Sequence, residues 1–217
     1  MILNNVKLDC LILAAGSASR FGGCKLLADW QGQPLIAASI TAAYSLKPEK
    51  IVIVAGAFYS QLKAAKLIDE NLAAATLNTS SVELVEFRDW QLGMGHSLAF
   101  GVKQLPNHNP VLILLGDQPL ISAQDLQNLY DAWCTQPTQI ACACFADTLG
   151  VPAIFPARFK TELLACTGDR GTKTLLTRYA DELIADELIK VPMPSAEFDV
   201  DIQTDLDKLL FKKNIAS

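Results

Sequence analysis

LDCLILAAGSASRFGGCKLL, residues 8–27, is an apolar run that breaks into a turn of small residues carrying Arg20 and Lys25. After Asp9 the run holds no polar alternation and is too short for a buried helix. It therefore reads as a strand covered on both faces, the kind found in parallel sheets. In open α/β sheets, ligands bind in the crevice at the carboxyl ends of strands, and this turn lies at that edge. Gly16, Gly22 and Gly23 let the backbone approach a ligand closely, with amides free to point at anionic oxygens. Arg20 offers a planar fork for phosphate, and Lys25 a mobile point charge. The stretch is not a P-loop, since Lys25 follows Cys24 and precedes Leu26, and it lacks the GxGxxG of dinucleotide sites. An ordinary flexible loop between strand and helix is the competing reading of the same residues.

The pattern repeats outward from this stretch. KIVIVAG (50–56), VELVEF (82–87) and PVLILLG (110–116) are further strand-like runs bounded by Gly, Pro or polar residues. Between them, PLIAASITAAYSL (34–46), FYSQLKAAKLIDENLAAA (58–75) and GHSLAFGVKQL (95–105) have the length and period of helices. Such alternation predicts an α/β protein: a Rossmann-like three-layer α/β/α sandwich with a mainly parallel sheet and right-handed crossovers. SAQDLQNLYDAWC (122–134) reads as a helix capped by Ser122. TQIACACF (138–145) and VPAIFP (151–156) read as further strands, GDRGTKTLLTRYA (168–180) as a loop entering a helix, and TDLDKLLFKK (204–213) as a last helix. No repeat, linker or low-complexity tract divides residues 1–217, so a single domain is expected.

Composition narrows the functional classes. With 51% apolar and 19% charged residues, the chain is that of a compact globular protein. Its net charge of −5 argues against a general nucleic-acid or anionic-membrane surface, while leaving room for one cationic pocket. No apolar run approaches the roughly 18 residues needed to span a bilayer. The N-terminus superficially resembles a signal peptide, but Asp9 interrupts the apolar part and Lys7 is the only preceding cation, so a cytoplasmic protein is expected. Six cysteines form no CxxC pair and only His96 and His108 accompany them, which is poor material for zinc and fits reduced thiols.

Two further stretches carry carboxylates. In LILLGDQPLIS (112–122) an apolar strand ends at Gly116 and presents Asp117 at the crevice edge, where it can hold a magnesium ion that bridges nucleotide phosphates. The alternative is an Asp that merely serves the turn, which Pro119 stiffens in either case. In FDVDIQTDLD (198–207) Asp199 and Asp201 alternate with Val200 and Ile202, so an extended strand turns both carboxylates one way. One of them can complete a metal site with Asp117. A solvated strand end, with Thr204 capping the last helix, is the competing account.

AAGSASRFGGCKLL resembles the signature of the molybdenum cofactor nucleotidyltransferases, roughly A-A-G-x-S-x-R-M/F-G-x-x-K-L-L. The match falls on Ala14, Ala15, Gly16, Ser19, Arg20, Phe21, Gly22, Lys25, Leu26 and Leu27. DWQLGMGHSLAFGV (89–102) is similar to the family's base-proximal segment, LGDQPLI (115–121) to its metal-binding G-D-x-P, and FDVDIQTDLD to its terminal D-I-D-T-P-E-D-L. GVPAIFP and TGDRGTKTLL resemble the segments on its acceptor side. The resemblance implies a fold of the nucleotide-diphospho-sugar transferase type. It also implies transfer of CMP from CTP to the phosphate of a molybdopterin acceptor, with release of pyrophosphate and delivery to a molybdoenzyme or its chaperone. It assigns catalysis to Arg20, Lys25 and Asp117, and nucleotide contacts to Ala14, Ala15, Gly16, Ser17, Arg20, Lys25, Gly95 and Ser97. Magnesium falls to Asp117 and Asp201. Two departures stand out: Gln203 replaces the second acid of D-I-D, and no Pro-Glu follows Thr204. Guanylyl transfer to the same cofactor is disfavoured by Ala14-Ala15-Gly16, where that group reads A-G-G. A sugar-1-phosphate nucleotidyltransferase is a further alternative, because QLGMGHS resembles its base-binding segment. A non-catalytic nucleotide-binding or chaperone module is disfavoured by the intact Arg20, Lys25, Asp117 and Asp201.

Overall fold

The computed structural model describes residues 7–66, 82–169, 171–181 and 188–216. The opening apolar run is strand β1 (Asp9–Ala14), buried at every position. It lies between β4 (Lys50–Ala55) and β6 (Val111–Leu115), parallel to both, and β4 pairs in parallel with β5 (Val82–Glu86). Beyond β6 come β8 (Thr148–Phe155), β7 (Ile140–Phe145) and β9 (Leu188–Pro192), giving the order β5-β4-β1-β6-β8-β7-β9. Strand β8 is antiparallel to β6 and β7, whereas β7 and β9 are parallel. The reversal is local in origin. β7 and β8 are joined by Ala146 and Asp147, both with positive φ, and so short a turn can only return the chain antiparallel. A second hairpin, β2 (Asp29–Trp30) with β3 (Gln33–Pro34), turns at Gln31 and Gly32 in the same way and has no counterpart in the sequence-based expectation.

The three layers follow from alternation along β1. Cys10, Ile12 and Ala14 enter one core with Ile36 and Ile40 of α1 (Leu35–Ser45) and Leu126, Leu129 and Trp133 of α4 (Ala123–Thr135). Leu11 and Leu13 enter the other with Leu98 and Val102 of α3 (Met94–Lys103), Leu163 of α5 (Lys160–Leu164) and Leu176 of α6 (Thr172–Asp181). Burying one such Leu or Ile contributes about 1.5–3 kcal/mol, so β1 alone anchors both faces.

Ser122 caps α4 as expected: its Oγ accepts from the Asp125 amide at 3.1 Å, and the Asp125 carboxylate accepts from the Ser122 amide at 2.9 Å. The helix expected over 58–75 is shorter: α2 (Tyr59–Ala64) ends in a turn at Ala65 and Lys66, the latter at φ +46°, and residues 67–75 lie outside the described residues. Residues 198–201 form no strand, although the expected alternation survives in the burial of Val200. The Val200 amide bonds the Asp117 carbonyl at 3.0 Å instead of a ladder partner. The final helix, α7 (Gln203–Ala216), is entered through Asp205, whose carboxylate accepts from the Asp201 and Ile202 amides at 3.2 and 3.1 Å; Thr204 is not the cap. No helix among the described residues is long and apolar enough to cross a membrane. All six cysteines are free.

Candidate active site

After β1 the chain turns to β4 and β5 on one side and returns to β6 on the other. Strand order therefore reverses between β1 and β6, where open α/β sheets place their ligand crevice. A cleft of about 550 Å³ opens there. It is lined by Ala14, Ala15, Gly16, Ser17, Arg20, Lys25, Ser97, Asp117 and Asp201, so the structure brings together every site residue expected from the sequence except Gly95.

The loop after β1 is fixed at both ends. The Gly116 amide bonds the Leu13 carbonyl at 3.0 Å, which ties the ends of β1 and β6 together. Leu26, buried in a single 3-10 turn (Lys25–Leu27), anchors the far end and leaves its neighbour Lys25 facing the cleft. Within the loop Ala18, at φ +46°, and Gly22, at φ +80°, adopt the left-handed backbone that favours glycine, and only the second position carries one. A Cβ on Gly16 would meet nothing within 4 Å, which leaves that wall open to a ligand.

Lys25 is the electrostatic centre. Its Nζ lies 2.7 Å from Asp117 Oδ2 and 3.1 Å from Asp201 Oδ1, and its side chain is only 12% exposed. Burial would lower the pKa of this ammonium, but the two carboxylates outweigh it and hold it above its ordinary value. Arg20 Nη1 stands 3.7 Å from Asp201 Oδ2 on an exposed side chain, a contact worth little as a static ion pair. Asp199 also lines the cleft, and burial, reinforced by the Asp117 charge, raises its pKa. With Asp169, the cleft carries four carboxylates against the two cations Arg20 and Lys25.

Asp117 Oδ1 is buried and has no hydrogen-bond partner, while its other oxygen holds Lys25. An orphaned buried carboxylate oxygen is costly, and a divalent cation would relieve it. Among the described residues no group of three or more His, Cys, Asp or Glu side chains is placed to hold a metal. Asp117 with Asp201 nonetheless fits magnesium, which is commonly bound through one or two carboxylates, waters and substrate phosphates.

Some cleft residues were not singled out from the sequence. Trp90 and Phe58 form an aromatic wall, and Met94 stands exposed at the mouth. Gly56 makes the wall possible, because a Cβ there would come within 2.5 Å of both the Ala15 carbonyl and Trp90 Cβ. An aromatic ahead of the glycines of WQLGMG was the available signal. Gly95 lies behind the cleft: a Cβ on it would meet the Thr167 carbonyl oxygen at 2.6 Å. Ser97 is buried and its hydroxyl donates to the Gly93 carbonyl at 3.3 Å. Burial raises the pKa of the Cys24 thiol despite two backbone hydrogen bonds, so proximity to Lys25 does not make it a nucleophile.

A switch-point cleft with cations on a glycine-bearing loop and carboxylates opposite is the layout of an enzyme that handles nucleoside phosphates, and the chain is a nucleotidyltransferase. It belongs to the family described as the MobA-like NTP transferase domain, whose model matches residues 10–183. Among proteins of similar sequence is the bifunctional protein GlmU of Janthinobacterium sp. (strain Marseille), 33% identical over 127 residues, 58% of this chain and 25% of that protein. The chain thus matches about a quarter of the length of such relatives. The fold is shared with Rv0371c from Mycobacterium tuberculosis H37Rv, with a TM-score of 0.73 and 21% identity over 95% of this chain and 99% of the other. A complex of Rv0371c with manganese superposes with a TM-score of 0.70 and 21% identity, covering 94% and 98%.

Proposed function

We propose that this nucleotidyltransferase moves CMP from CTP to the phosphate of a molybdopterin-type acceptor and releases pyrophosphate. The observation that carries the reading is the convergence of Lys25, Asp117 and Asp201 beside the Ala14–Ser17 backbone in one cleft. An acceptor phosphate oxygen attacks the α-phosphorus of CTP, forming a P–O bond. The bond to the β-phosphate oxygen breaks, and pyrophosphate departs with that electron pair. No covalent enzyme intermediate is required, so catalysis is positioning and charge neutralisation.

The residues divide this work by position. The Ala14–Ser17 backbone, with open space at Gly16, cradles the phosphates, and Arg20 and Lys25 neutralise charge that builds on the leaving oxygens. Trp90 and Phe58 give the base an apolar wall. Four carboxylates against two cations would repel a free triphosphate, so the nucleotide is expected to enter with its metal. Magnesium held by Asp117 and Asp201 would supply Lewis-acid charge compensation to the phosphates. The manganese bound to the Mycobacterium protein supports a divalent cation of this class. The product would pass to a molybdoenzyme or its chaperone.

Pyrophosphate release over four NTPs, with and without molybdenum cofactor, tests the reading. Release with CTP that depends on the cofactor is expected, and CTP with magnesium should stabilise the protein against heat more than GTP does. A tenfold affinity preference is worth about 1.4 kcal/mol at saturating ligand. A larger effect of GTP would favour guanylyl transfer. Turnover only with a sugar-1-phosphate acceptor would favour that alternative.

A further inference from the structure

The two carboxylates read above as sharing a cation reach the cleft by different means. Asp117 follows β6, whose end is held by the Gly116 amide on the Leu13 carbonyl and by the Ser39 hydroxyl, which donates from α1 to the Leu115 carbonyl at 3.0 Å. Asp201 has no strand beneath it. It lies on the chain between β9 and α7, where a 3-10 turn (Pro194–Glu197) leads into an extended Phe198 and then Asp199, Val200 and Asp201. Successive side chains of an extended chain face opposite ways. Val200 is fully buried with Trp30, Leu35 and Leu206, while Asp199 and Asp201 line the cleft. A slip of one residue would put Val200 in the cleft and drive a carboxylate into that small core. The register of this segment therefore decides whether a second carboxylate stands beside Asp117.

Two hydrogen bonds tie the segment to the Asp117 turn. The Val200 amide donates to the Asp117 carbonyl at 3.0 Å. Earlier in the segment, Gln118 Nε2 donates to the Ala196 carbonyl at 2.9 Å. A carbonyl only accepts, so the Gln118 atom that faces it is the amide nitrogen. Gln118 is buried, and its Oε1 has no hydrogen-bond partner. An apolar side chain of similar length would fill that space without the penalty of an unpaired buried oxygen, but it would not donate to Ala196. Other anchors of the segment lead elsewhere. The Met193 amide donates to the Cys144 carbonyl of β7 at 2.9 Å, and the Ser195 hydroxyl to the Asp125 carboxylate of α4 at 3.1 Å. Neither fixes the segment relative to Asp117.

We propose that Gln118 is a positioning residue of the metal site: its side-chain amide, seated on the Ala196 carbonyl, fixes the register of the 196–201 segment so that Asp201 stands beside Asp117. The inference rests on the reading above that these two carboxylates share a divalent cation. A carboxylate already held in place loses less freedom when the cation binds, so the contact is read as metal affinity. Gln118 does not line the cleft, and its effect runs through the segment.

Manganese alone, titrated into the full chain and followed by electron paramagnetic resonance of the free ion, tests this. Gln118→Met keeps the length and bulk of the side chain without its donor, and should raise the manganese Kd about tenfold, the equivalent of one ordinary hydrogen bond. Each variant is first shown to melt cooperatively above the temperature of the titration, and Gln118→Leu takes the place of methionine if that protein does not. A double-mutant cycle separates positioning from a general defect. With Asp199→Asn and Asp201→Asn both in place, the segment has no cleft carboxylate left to position, and adding Gln118→Met should change the Kd by less than about twofold. An equal loss in both backgrounds would mean that Gln118 only supports the Asp117 turn, and would overturn the proposal. So would an unchanged Kd in Gln118→Met when Asp201→Asn by itself weakens binding. If Asp201→Asn leaves manganese binding as it is, the shared-cation reading fails, and the role given to Gln118 falls with it.

Discussion

Replacing Lys25 with methionine should weaken the metal-free protein and strengthen its hold on a divalent cation. In the wild type the ammonium sits between Asp117 and Asp201, 2.7 and 3.1 Å away, with only 12% of the side chain exposed. Removing one partner of a buried pair costs about 3–5 kcal/mol. Asp201 is 52% exposed, so its half is largely screened, and about 2–3 kcal/mol is the reasonable share. For a domain of this size that lowers Tm by about 4–12 °C. A cation that binds the two carboxylates in the wild type must first break these contacts. Removing them should therefore improve metal affinity at least tenfold without nucleotide, even as turnover falls by about 100-fold or more. Thermal melts with increasing manganese, and electron paramagnetic resonance of free manganese, read the two quantities. At 100 times its Kd the ion returns about 2.7 kcal/mol, enough to restore most of the lost Tm. Should methionine fail to fold there, Lys25→Gln removes the charge with less strain. The pH dependence has a defined sign. Lys25 has its pKa raised above the ordinary 10.5, so the pair stabilises the protein below that pH and is lost as pH rises through the raised value. The wild-type advantage over the methionine variant should disappear in that alkaline window. Equal manganese stabilisation of the two proteins would refute the idea that the lysine occupies the cation's place.

If Asp117 and Asp201 share one cation, Asp117→Asn and Asp201→Asn should each cost at least about 100-fold in turnover, near 2.7 kcal/mol, and the double variant should be little worse than the poorer single one. Losses that multiply, or near-normal turnover in Asp201→Asn, would show separate roles. Cys24→Ser should keep most turnover, since burial keeps that thiol protonated; a loss beyond about 100-fold with normal CTP binding would place the thiol in the chemistry. Asp9, at the opposite end of β1, is fully buried with both carboxylate oxygens unpartnered, and Asn109 donates to Glu49 at 2.7 Å instead. Burial, only partly offset by the Lys160 charge, raises its pKa. Ionising it therefore costs stability as pH climbs from about 4 through the raised value. The Tm of Asp9→Asn relative to wild type should become more favourable over that window, and a difference independent of pH would contradict the assignment.

Much of the fold is written locally. Leu11 to Ala14 reads as a doubly covered strand because each side chain alternates between two cores, which leaves no position for a polar residue. The Ser122–Asp125 capping box is equally local, three residues wide. The glycine-bearing turn with Arg20 and Lys25, and Asp117 after its apolar strand, were legible as neighbours of one crevice because each follows the carboxyl end of a strand. Other features depend on partners that no local pattern names. The short Ala146–Asp147 turn makes β8 antiparallel, but only sheet assembly inserts it between β6 and β7. FDVD carries the alternation of a strand, yet the Val200 amide finds the Asp117 carbonyl and no ladder forms. Lys25 meets Asp201 across 176 positions, and Gly95 lies against the Thr167 backbone, a neighbour 72 positions away that no local pattern names. The apolar strands, the capped helix and the turn after β1 are set by neighbours along the chain, so the amino-acid sequence by itself determined them. The charge balance of the cleft is set by neighbours in space, and only the tertiary structure decided it.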